Sequence, residues 1–347
     1  MKKTLAALIV SAFAASAANA AVVYDNEGTK VELNGSLRVI MEKADKKEYD
    51  AANHSTKKSN SALRNAGSRF GVKVKHNLDN DFYALGNLEL RFDDTTSRDK
   101  FGGAYAKRAY VGLGSQSVGE IKFGRQLTIA DDLSQANDYE YGFIPKGDYI
   151  PTSGTGVVRY DYKGIEGLQL SANYNFGQTN NEKGKPLNPG IKNAYAVGAL
   201  YTAGDLDARL AYGHTNFETG ASYAHRLDGV LASLGYKFGD FTLTGDFAYG
   251  HEKFDDEKTN KFYVAPGFAY QVLPASKVYG NYLYERVKGE NTKDKTHGFL
   301  LGADYQLHKQ VVVFLEGKYV TTKSYVNDAY DGKVKDRAIG VGMRVFF

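Results

Sequence analysis

The sequence contains no cysteine, no tryptophan and only six prolines in 347 residues. Without cysteine the chain can form neither disulfides nor thiolate metal sites, and it has no thiol nucleophile. After residue 20 it also has no apolar run of the roughly twenty residues that a spanning helix needs. These absences exclude a disulfide-braced fold, thiol chemistry and a helical membrane protein.

The N-terminus has the three parts of a secretory signal peptide. A basic start (MKK) precedes a small, apolar stretch from residue 5 to residue 18, and the triplet Ala-Asn-Ala stands at residues 18–20. Cleavage is therefore expected between Ala20 and Ala21, and residues 1–20 are expected to be removed. No cysteine stands at this site, so no lipid anchor is expected.

The charge of the chain is nearly balanced. Its formal net charge of +4 falls to +2 when Lys2 and Lys3 leave with the signal peptide, which argues against nucleic acid as a partner. Tyrosine (26), phenylalanine (19) and glycine (38) are abundant. The mean hydropathy of −0.44 is that of a soluble protein. Strands of a transmembrane barrel also give such a value, because their apolar residues alternate with polar ones.

Apolar and polar residues alternate along most of the mature chain. In the segment Leu168–Phe176 every second side chain is apolar and the side chains between them are Gln, Ser or Asn. Side chains of a strand point alternately to its two faces, so one face of this strand is apolar and the other polar. The facing of Ala275–Val287 is ambiguous, because tyrosine falls on both faces. Comparable alternation begins at Val31, Arg69, Arg108, Leu206, Phe241, Gly298 and Ile339.

Short and long connections alternate between these strands. Seven short links are rich in Gly, Asp and Asn, as tight hairpins require, and eight long links are charged. Fifteen connections join sixteen strands, and an even number closes an antiparallel barrel with both termini on the side of the short turns. A soluble β-sandwich would also alternate, but it rarely needs sixteen strands with this rhythm. The long links are Ala44–Ser61, Asp93–Gly103, Gln126–Gly154, Gly177–Ile191, Asn216–Ala224, Glu252–Thr259, Lys288–Lys295 and Lys323–Lys333.

Closure of the sheet has a physical reason. Unpaired backbone groups at a sheet edge cost several kcal/mol each in hydrocarbon, so a spanning sheet must close on itself. Sixteen strands enclose more space than side chains can fill, so the interior is expected to be a water-filled channel. The sequence thus predicts an all-β, sixteen-stranded antiparallel transmembrane barrel with long external loops and short periplasmic turns, formed by residues 21–347.

The alternation stops for about thirty residues between Gly124 and Gly154. The segment carries five carboxylates against Lys146, and structureless stretches of such length are usually functional. We expect this acidic segment to control what passes through the barrel.

Several segments together resemble the general diffusion porins of Gram-negative bacteria, most closely the major porins of the Haemophilus and Pasteurella group. They are VELNGSLRV at Val31–Val39, SRFGVKV at Ser68–Val74, KRAYVGL at Lys107–Leu113, GEIKFGRQ at Gly119–Gln126, and the terminal Phe347. The resemblance implies an outer-membrane homotrimer, a third loop folded into the lumen and passive diffusion of small hydrophilic solutes and ions. It also implies contacts with outer-membrane lipid and lipopolysaccharide, and with the barrel-assembly machinery through the last strand.

The resemblance also implies the residues of a pore constriction. The basic wall falls on Arg69 and Arg108, which alternation independently places on polar faces, and on Arg38 and Arg125. The acidic residues of the loop fall on Asp131, Asp132, Asp138 and Glu140. The family's Pro-Glu-Phe-Gly-Gly sequence is absent, and Tyr-Gly-Phe-Ile-Pro stands there, from residue 141 to residue 145. A basic wall opposite an acidic loop produces a transverse field that favours polar solutes and biases ions by sign.

Other functions remain as alternatives. A barrel enzyme of the lipase or protease type would need a nucleophile paired with histidine, and no such signature accompanies the seven histidines. No group of residues has metal-ligand spacing, so neither a metal nor a cofactor is expected. A substrate-specific channel would need aromatic side chains along the lumen, and Tyr110 alone does not supply them. A purely structural or adhesive barrel would usually be smaller or carry an added domain.

Overall fold

The computed structural model describes residues 20–93, 99–219 and 224–347. The predicted signal peptide therefore lies, except for Ala20, outside the described residues. So do parts of the predicted links Asp93–Gly103 and Asn216–Ala224. No helix in the described ranges is both long enough and apolar enough to cross a membrane.

The described chain is almost entirely β-strand, with two short 3-10 turns at Ile129–Leu133 and Lys146–Asp148. The strands are β1 (Ala21–Asn26), β2 (Thr29–Tyr49), β3 (Ser55–Asn65), β4 (Arg69–Asn77), β5 (Phe82–Asp93), β6 (Gly103–Ser115), β7 (Gly119–Leu127), β8 (Ser153–Ile165), β9 (Leu168–Asn175), β10 (Gln178–Asn180), β11 (Pro186–Ala203), β12 (Leu206–Phe217), β13 (His225–Phe238), β14 (Phe241–Phe254), β15 (Glu257–Leu273), β16 (Ser276–Lys288), β17 (Thr292–His308), β18 (Val311–Val326) and β19 (Ala329–Phe346).

These segments form one closed antiparallel sheet. Strand β2 pairs along its length with β4 and then β3 on one side, and with β1 and then β19 on the other. Strand β11 pairs likewise, on one side, with β10 at its start and then with β9. Three of the nineteen segments therefore extend the line of another segment and do not form separate strands: β1 extends β19, β3 extends β4 and β10 extends β9. The wall thus has sixteen strands, as predicted. The terminal Phe347 closes the seam by exchanging two backbone hydrogen bonds with Gly35.

The predicted alternation describes the two faces of the wall correctly. Leu301 is 60% exposed on the outside, whereas the preceding Leu300 is 4% exposed on the inside. The ambiguous strand β16 is also resolved. Tyr279 and Leu283 are buried inside the barrel, and Tyr282 lies opposite the outward Phe299.

The predicted lengths of several external links are wrong. The link Glu252–Thr259 is a turn of Asp255 and Asp256, and Lys323–Lys333 is a turn of Asn327 and Asp328. Both Asn327 and Asp328 have positive φ, as two-residue hairpin turns require. The links 44–61 and 288–295 are shortened in the same way. Charged residues mark where a strand leaves the apolar layer, but its backbone pairing continues into water.

Candidate functional site: a loop held inside the barrel

The connection between β7 and β8, residues 128–152, runs inside the barrel rather than outside it. Its first 3-10 turn buries Ile129 and Leu133, and its second half buries Tyr149 and Ile150. These side chains form one apolar cluster with wall residues of β11 to β16. The wall members are Ala196, Ala211, Leu231, Ala248, Tyr263, Ala265 and Leu283. The loop is therefore packed against the wall as part of the fold.

Small residues in the wall make room for this loop. A side chain at Gly229 would place its Cβ 2.3 Å from the backbone oxygen of Tyr149, and one at Gly213 would place it 2.6 Å from Ile150. Contacts that short are not tolerated by real Cβ atoms. Glycine at these positions thus allows the backbone of the loop to approach the strands closely.

The tip of the loop is bound by one buried carboxylate, Glu316 of β18. Glu316 is 0% exposed and accepts hydrogen bonds from the backbone N–H groups of residues 139, 140 and 141, at 2.7, 2.8 and 2.6 Å. The hydroxyl of Tyr279 donates a fourth, at 2.8 Å. Hydrogen bonds to a charged acceptor are the stronger kind, and here they fix the path of three consecutive residues.

Further wall carboxylates bind the loop in the same manner. Asp246 accepts hydrogen bonds from the hydroxyl of Ser134 at 2.5 Å and the backbone N–H of Gln135 at 3.1 Å. The hydroxyl of Tyr139 donates to Asp304 at 2.7 Å, and that of Tyr141 donates to Glu42 at 2.9 Å. The acidic side of the lumen thus serves as a row of acceptors for the loop.

The opposite side of the lumen is basic. A cavity of about 220 Å³ beside the loop tip is lined by Tyr139, Glu140 and five arginines, namely Arg38, Arg64, Arg69, Arg91 and Arg344. Arg38 lies directly opposite Arg344 across β2 and β19, and Arg69 lies opposite Arg91 across β4 and β5. Arg108 lies beside this group, with its Nε 3.7 Å from a carboxylate oxygen of Glu89. Like charges directly opposite on a sheet are destabilising, so this arrangement has a cost for the fold.

Two of these arginines contact the loop. Arg64 binds both oxygens of Glu42 at 2.8 Å and also binds Glu140 at 2.7 Å. The guanidinium of Arg344 lies 4.7 Å from the centre of the Tyr139 ring and donates to the carbonyl of Tyr139. The basic and acidic groups therefore meet at the loop tip.

The predicted acidic residues have three different surroundings. Asp131 pairs with Lys146 within the loop at 3.3 Å, Asp132 pairs with Arg159 of the wall at 2.7 Å, and Glu140 pairs with Arg64. Asp138 is exposed to the lumen. Its side chain lies against Gly142, where a Cβ would meet the carboxyl carbon at 2.7 Å. The structure thus brings Glu140 to the arginines and leaves Asp138 facing water.

The pKa of two of these carboxyls is raised. Although the side chain of Asp138 is exposed to the lumen, the protein that encloses the lumen disfavours its charge and raises its pKa to about 6; repulsion by Glu316 acts in the same direction and Arg344 in the opposite one. Burial likewise raises the pKa of Glu140, although Arg64 favours its charged form.

Arg38, Arg69 and Arg108 belong to the basic group, whereas Arg125 does not line the cavity. The guanidinium of Arg125 donates to the carbonyls of Ala106 at 2.8 Å and Glu182 at 3.0 Å. It thus ties β7 to the hairpin between β10 and β11. Arg125 pairs with the exposed Ala109 and shares a face of β7 with Phe123, which is 44% exposed, so alternation places it on the outer face of the wall and not in the lumen.

Sequence reasoning missed Arg64, Arg91 and Glu316. Arg91 follows the alternation of Leu88, Leu90 and Phe92, so continuing that pattern would have found it. Arg64 lies just after a predicted link and was assigned to no strand. Glu316 is one polar residue in an apolar stretch, and only the fold brings the loop to it. Within the described ranges, no group of three or more His, Cys, Asp or Glu side chains could hold a metal ion.

Comparisons with known proteins agree with this geometry. A family model described as Gram-negative porin matches residues 4–325. The major outer membrane protein of Pasteurella multocida (strain Pm70) is 32% identical over 377 aligned residues that cover both chains completely.

Two solved structures share the fold. An anion-selective porin from Comamonas acidovorans has a TM-score of 0.66 at 19% identity, covering 92% of this chain and all of that one. The trimer form of OmpT from Vibrio cholerae has a TM-score of 0.69 at 19% identity, with the same coverage. The chain therefore belongs to the Gram-negative porin family, and it is an outer-membrane β-barrel channel for diffusion.

Proposed function

We propose that the barrel is an open channel for general diffusion, whose narrowest passage lies between the loop tip and the arginine wall. The observation that carries this proposal is the loop of residues 128–152, which covers one side of the lumen and leaves the arginines facing the other. Arg38, Arg69 and Arg108 form the basic wall together with Arg64, Arg91 and Arg344. Asp138 and Glu140 supply the acidic side.

The other predicted members have lesser roles. Asp131 and Asp132 are neutralised by Lys146 and Arg159, so they stabilise the loop rather than set the field. Arg125 holds the external hairpin. Small hydrophilic solutes pass because the lumen offers them water and hydrogen-bonding groups, whereas an apolar solute would have to displace ordered water between the two charged sides.

The surroundings of the histidines support a channel rather than an enzyme. In the described part of the chain, His214 binds Asp228 at 2.7 Å and His225 binds Glu252 at 2.7 Å. Each is half of a catalytic arrangement, but none of the histidine hydrogen bonds involves a serine that could serve as nucleophile.

The assembly and maturation of the protein belong to the same proposal. Residues 1–20 are removed, and the barrel assembles as a homotrimer, as the trimer form of OmpT suggests. Its apolar outer face meets outer-membrane lipid and lipopolysaccharide. The seam strand ending in Phe347 is the segment that the barrel-assembly machinery would engage.

Conductance of the purified, folded protein in a planar lipid bilayer tests the function. We expect large steps with a linear current–voltage relation, grouped in threes if the trimer inserts as a unit. Uptake of neutral sugars of increasing size into liposomes then gives the exclusion limit. Folded protein that inserts without conducting would contradict the proposal, and hydrolysis of lipid or peptide would favour the enzyme.

A further inference from the structure

The two seam strands, β19 and β2, are the one pair of neighbours in the described wall that no link of the chain joins directly. All other neighbouring strands follow one another in sequence, apart from the short segments that extend them. Where a link joins two strands, its length and turn type fix which residues lie opposite one another. The register of the seam must therefore be fixed by other contacts.

Neither the alternation of side chains nor their charges fix this register. Shifting β19 along β2 by one residue would turn its apolar side chains into the lumen, whereas a shift of two residues keeps every side chain on its face. Opposite charges that face each other stabilise a sheet and like charges destabilise it, and the observed seam has two pairs of each kind. The opposite pairs are Asp336–Lys46 and Arg337–Asp45, and the like pairs are Lys335–Lys47 and Arg344–Arg38. The register must depend on a contact that a shift of two residues would break.

Strand β1 has a fixed place on the edge of β2. It pairs with Thr29–Leu33, so that Ala21 lies opposite Leu33. The turn between the two strands consists of Glu27 and Gly28, whose φ angles of 49° and 76° are those of a two-residue hairpin turn. Because this turn sets the register of β1, a local contact fixes the position of Ala21 on β2.

Strand β19 meets β1 end to end on the same edge of β2. Phe347 exchanges backbone hydrogen bonds with Gly35 at 2.9 and 3.1 Å, and only the position opposite Asn34 lies between Phe347 and Ala21. Advancing β19 by two residues would bring Phe347 opposite Leu33, where Ala21 already pairs. Strand β1 therefore blocks the advance of β19.

The edge that β1 occupies would otherwise attract β19. Without β1, the backbone groups of Thr29–Leu33 would have no partner on this side, and unpaired groups at a sheet edge are a template for another strand. An advance of two residues would let β19 pair with part of this edge. Because such an advance keeps every side chain on its face, the alternating pattern does not oppose it.

The ring of Phe347 makes a second contact that depends on the register. A side chain at Gly35 would place its Cβ 2.5 Å from the ring carbon Cζ of Phe347, so the ring lies in the space that the glycine leaves free. Gly35 is the one glycine of β2, and its neighbours on the same face are Leu33 and Leu37. An aromatic ring that covers a glycine on the neighbouring strand pins the register of a sheet. A shift of two residues in either direction would put the ring against a leucine and leave Gly35 uncovered.

We propose that β1 and the contact between Phe347 and Gly35 together set the register in which the last strand closes the barrel. Strand β1 prevents β19 from advancing, and the ring of Phe347 on Gly35 opposes a shift in either direction. This inference concerns closure of the wall rather than transport, so a barrel that closes in this way without conducting would contradict the proposed channel and leave the inference intact.

Introduced cysteine pairs report the register, because the chain has no cysteine of its own. Met343→Cys is combined with Val39→Cys for the observed register, in which these residues lie opposite each other. Leu37→Cys instead reports an advance by two residues, and Met41→Cys a retreat by two. Cβ atoms of opposite residues are about 4.5–5.5 Å apart and diagonal neighbours about 7–8 Å, so each disulfide forms readily in one register only. We call the three disulfides the Val39, Leu37 and Met41 links.

The test uses the chain from residue 21, unfolded in urea, refolded into detergent micelles and then oxidised. Linked peptides are quantified by mass spectrometry. No assembly machinery is present, so recognition of the last strand by other proteins does not affect the result. The chain without further changes should give the Val39 link alone.

Removal of residues 21–26 should raise the ratio of the Leu37 link to the Val39 link about tenfold, the effect of one or two backbone hydrogen bonds. The β1 control carries Val22→Thr and Tyr24→Thr, which change the side chains of β1 and keep its backbone on the edge of β2. This control should retain the Val39 link.

Phe347→Ala removes the ring but keeps the backbone hydrogen bonds of residue 347. It should raise both the Leu37 and the Met41 link, by a smaller factor than removal of β1 raises the Leu37 link. Phe346→Ala is the matched control, since Phe346 lies opposite Ser36 on the other face of β19. Removal of residues 21–26 together with Phe347→Ala should give the largest change.

The Val39 link alone in a chain that lacks both β1 and the Phe347 ring would overturn the proposal, and so would an equal shift in the β1 control. If the shortened chain does not fold, Gly28→Val replaces it, because a β-branched residue rarely adopts positive φ and the turn that fixes β1 is lost. Its control is Gly317→Val, since a Cβ at Gly317 has its nearest contact at 3.5 Å. The Val39 link alone in Gly28→Val combined with Phe347→Ala would contradict the proposal equally.

Discussion

The two sides of the barrel lumen are built from the same alternating strands but differ in chemistry. On the side of β11 to β16 small and apolar inward residues pack against the loop, and inward polar residues such as Asp246 bind it. On the side of β2 to β6 arginines and their few acidic partners face the lumen, and the loop reaches this side with its tip, where Glu140 binds Arg64. Between the two, the tip of the loop is held by Glu316 and contacted by Arg64 and Arg344.

This difference explains how a wide barrel can hold a narrow passage. Covering one wall requires glycine and alanine for close approach, together with buried carboxylates that accept the hydrogen bonds of the loop backbone. Leaving the other wall open requires water around its charges. The packing of the loop against one wall therefore determines how the loop tip faces the arginines of the other wall.

Deleting the tip of the loop inside the barrel should have the largest effect on conductance. Deletion of Asp131–Tyr141 takes away the tip together with Leu133, and we expect single-channel conductance to rise severalfold while selectivity weakens. Planar-bilayer recording of the folded variant measures both quantities. A folded variant with unchanged conductance would show that the narrowest passage lies elsewhere.

Removing the carboxylate of Glu316, which binds the tip of the loop, should have the next largest effect. Glu316→Ala leaves four donors without their acceptor, and each unsatisfied buried donor costs about 1–3 kcal/mol. We expect a lower unfolding temperature, noisier currents and faster proteolysis at the tip. Asp336→Ala is the matched control, because Asp336 faces the lumen from the neighbouring strand and binds Lys318 rather than the loop. A similar loss of stability in both variants would show that Glu316 does not hold the loop in place.

Filling the space between wall and loop should have a smaller effect. Gly229→Ala forces a Cβ against the backbone oxygen of Tyr149, and overpacking of this kind typically costs about 1–3 kcal/mol. Thermal unfolding measures the loss. Gly245→Ala on the next strand is the control, since nothing lies within 4 Å of its new Cβ. Equal stability of the two variants would mean that the loop is not packed on Gly229.

Acidification should have the smallest effect. Asp138 carries its charge above its pKa of about 6 and loses it below. Selectivity should therefore shift toward anions as the pH falls from 7 to 5. Reversal potentials measured at both pH values should show the shift in the unaltered protein, and Asp138→Asn should lose that part of it. A shift of the same size in Asp138→Asn would assign the titration to another group.

The sequence allowed the strands to be predicted because the two faces of the wall meet different solvents. Leu168–Phe176 shows this directly, with lipid on one side and water on the other. Hairpins such as Asn327–Asp328 were mispredicted, because beyond the membrane both faces meet water and the alternation loses its meaning. Alternation placed Arg69 and Arg108 on the lumen face, whereas Arg125, which the family resemblance implied, lies on the same face of β7 as the outward Phe123.

The attachment of the loop could not be predicted. Glu316 and Glu140 lie 176 residues apart in sequence, and no local pattern connects a lone carboxylate in β18 with backbone N–H groups in the loop. The acidic composition of the loop did not reveal that Asp131 pairs with Lys146 within the loop and Asp132 with Arg159 of the wall.

The most direct test of a charged passage is the reversal potential in a salt gradient for two opposite variants. Arg69→Gln with Arg108→Gln should move selectivity toward cations, and Asp138→Asn with Glu140→Gln should move it toward anions. Both shifts should shrink at high salt, because the Debye length falls from about 10 Å at 0.1 M to about 3 Å at 1 M. Reversal potentials that stay unchanged in both variants, or move in the same direction, would contradict a passage lined by these charges.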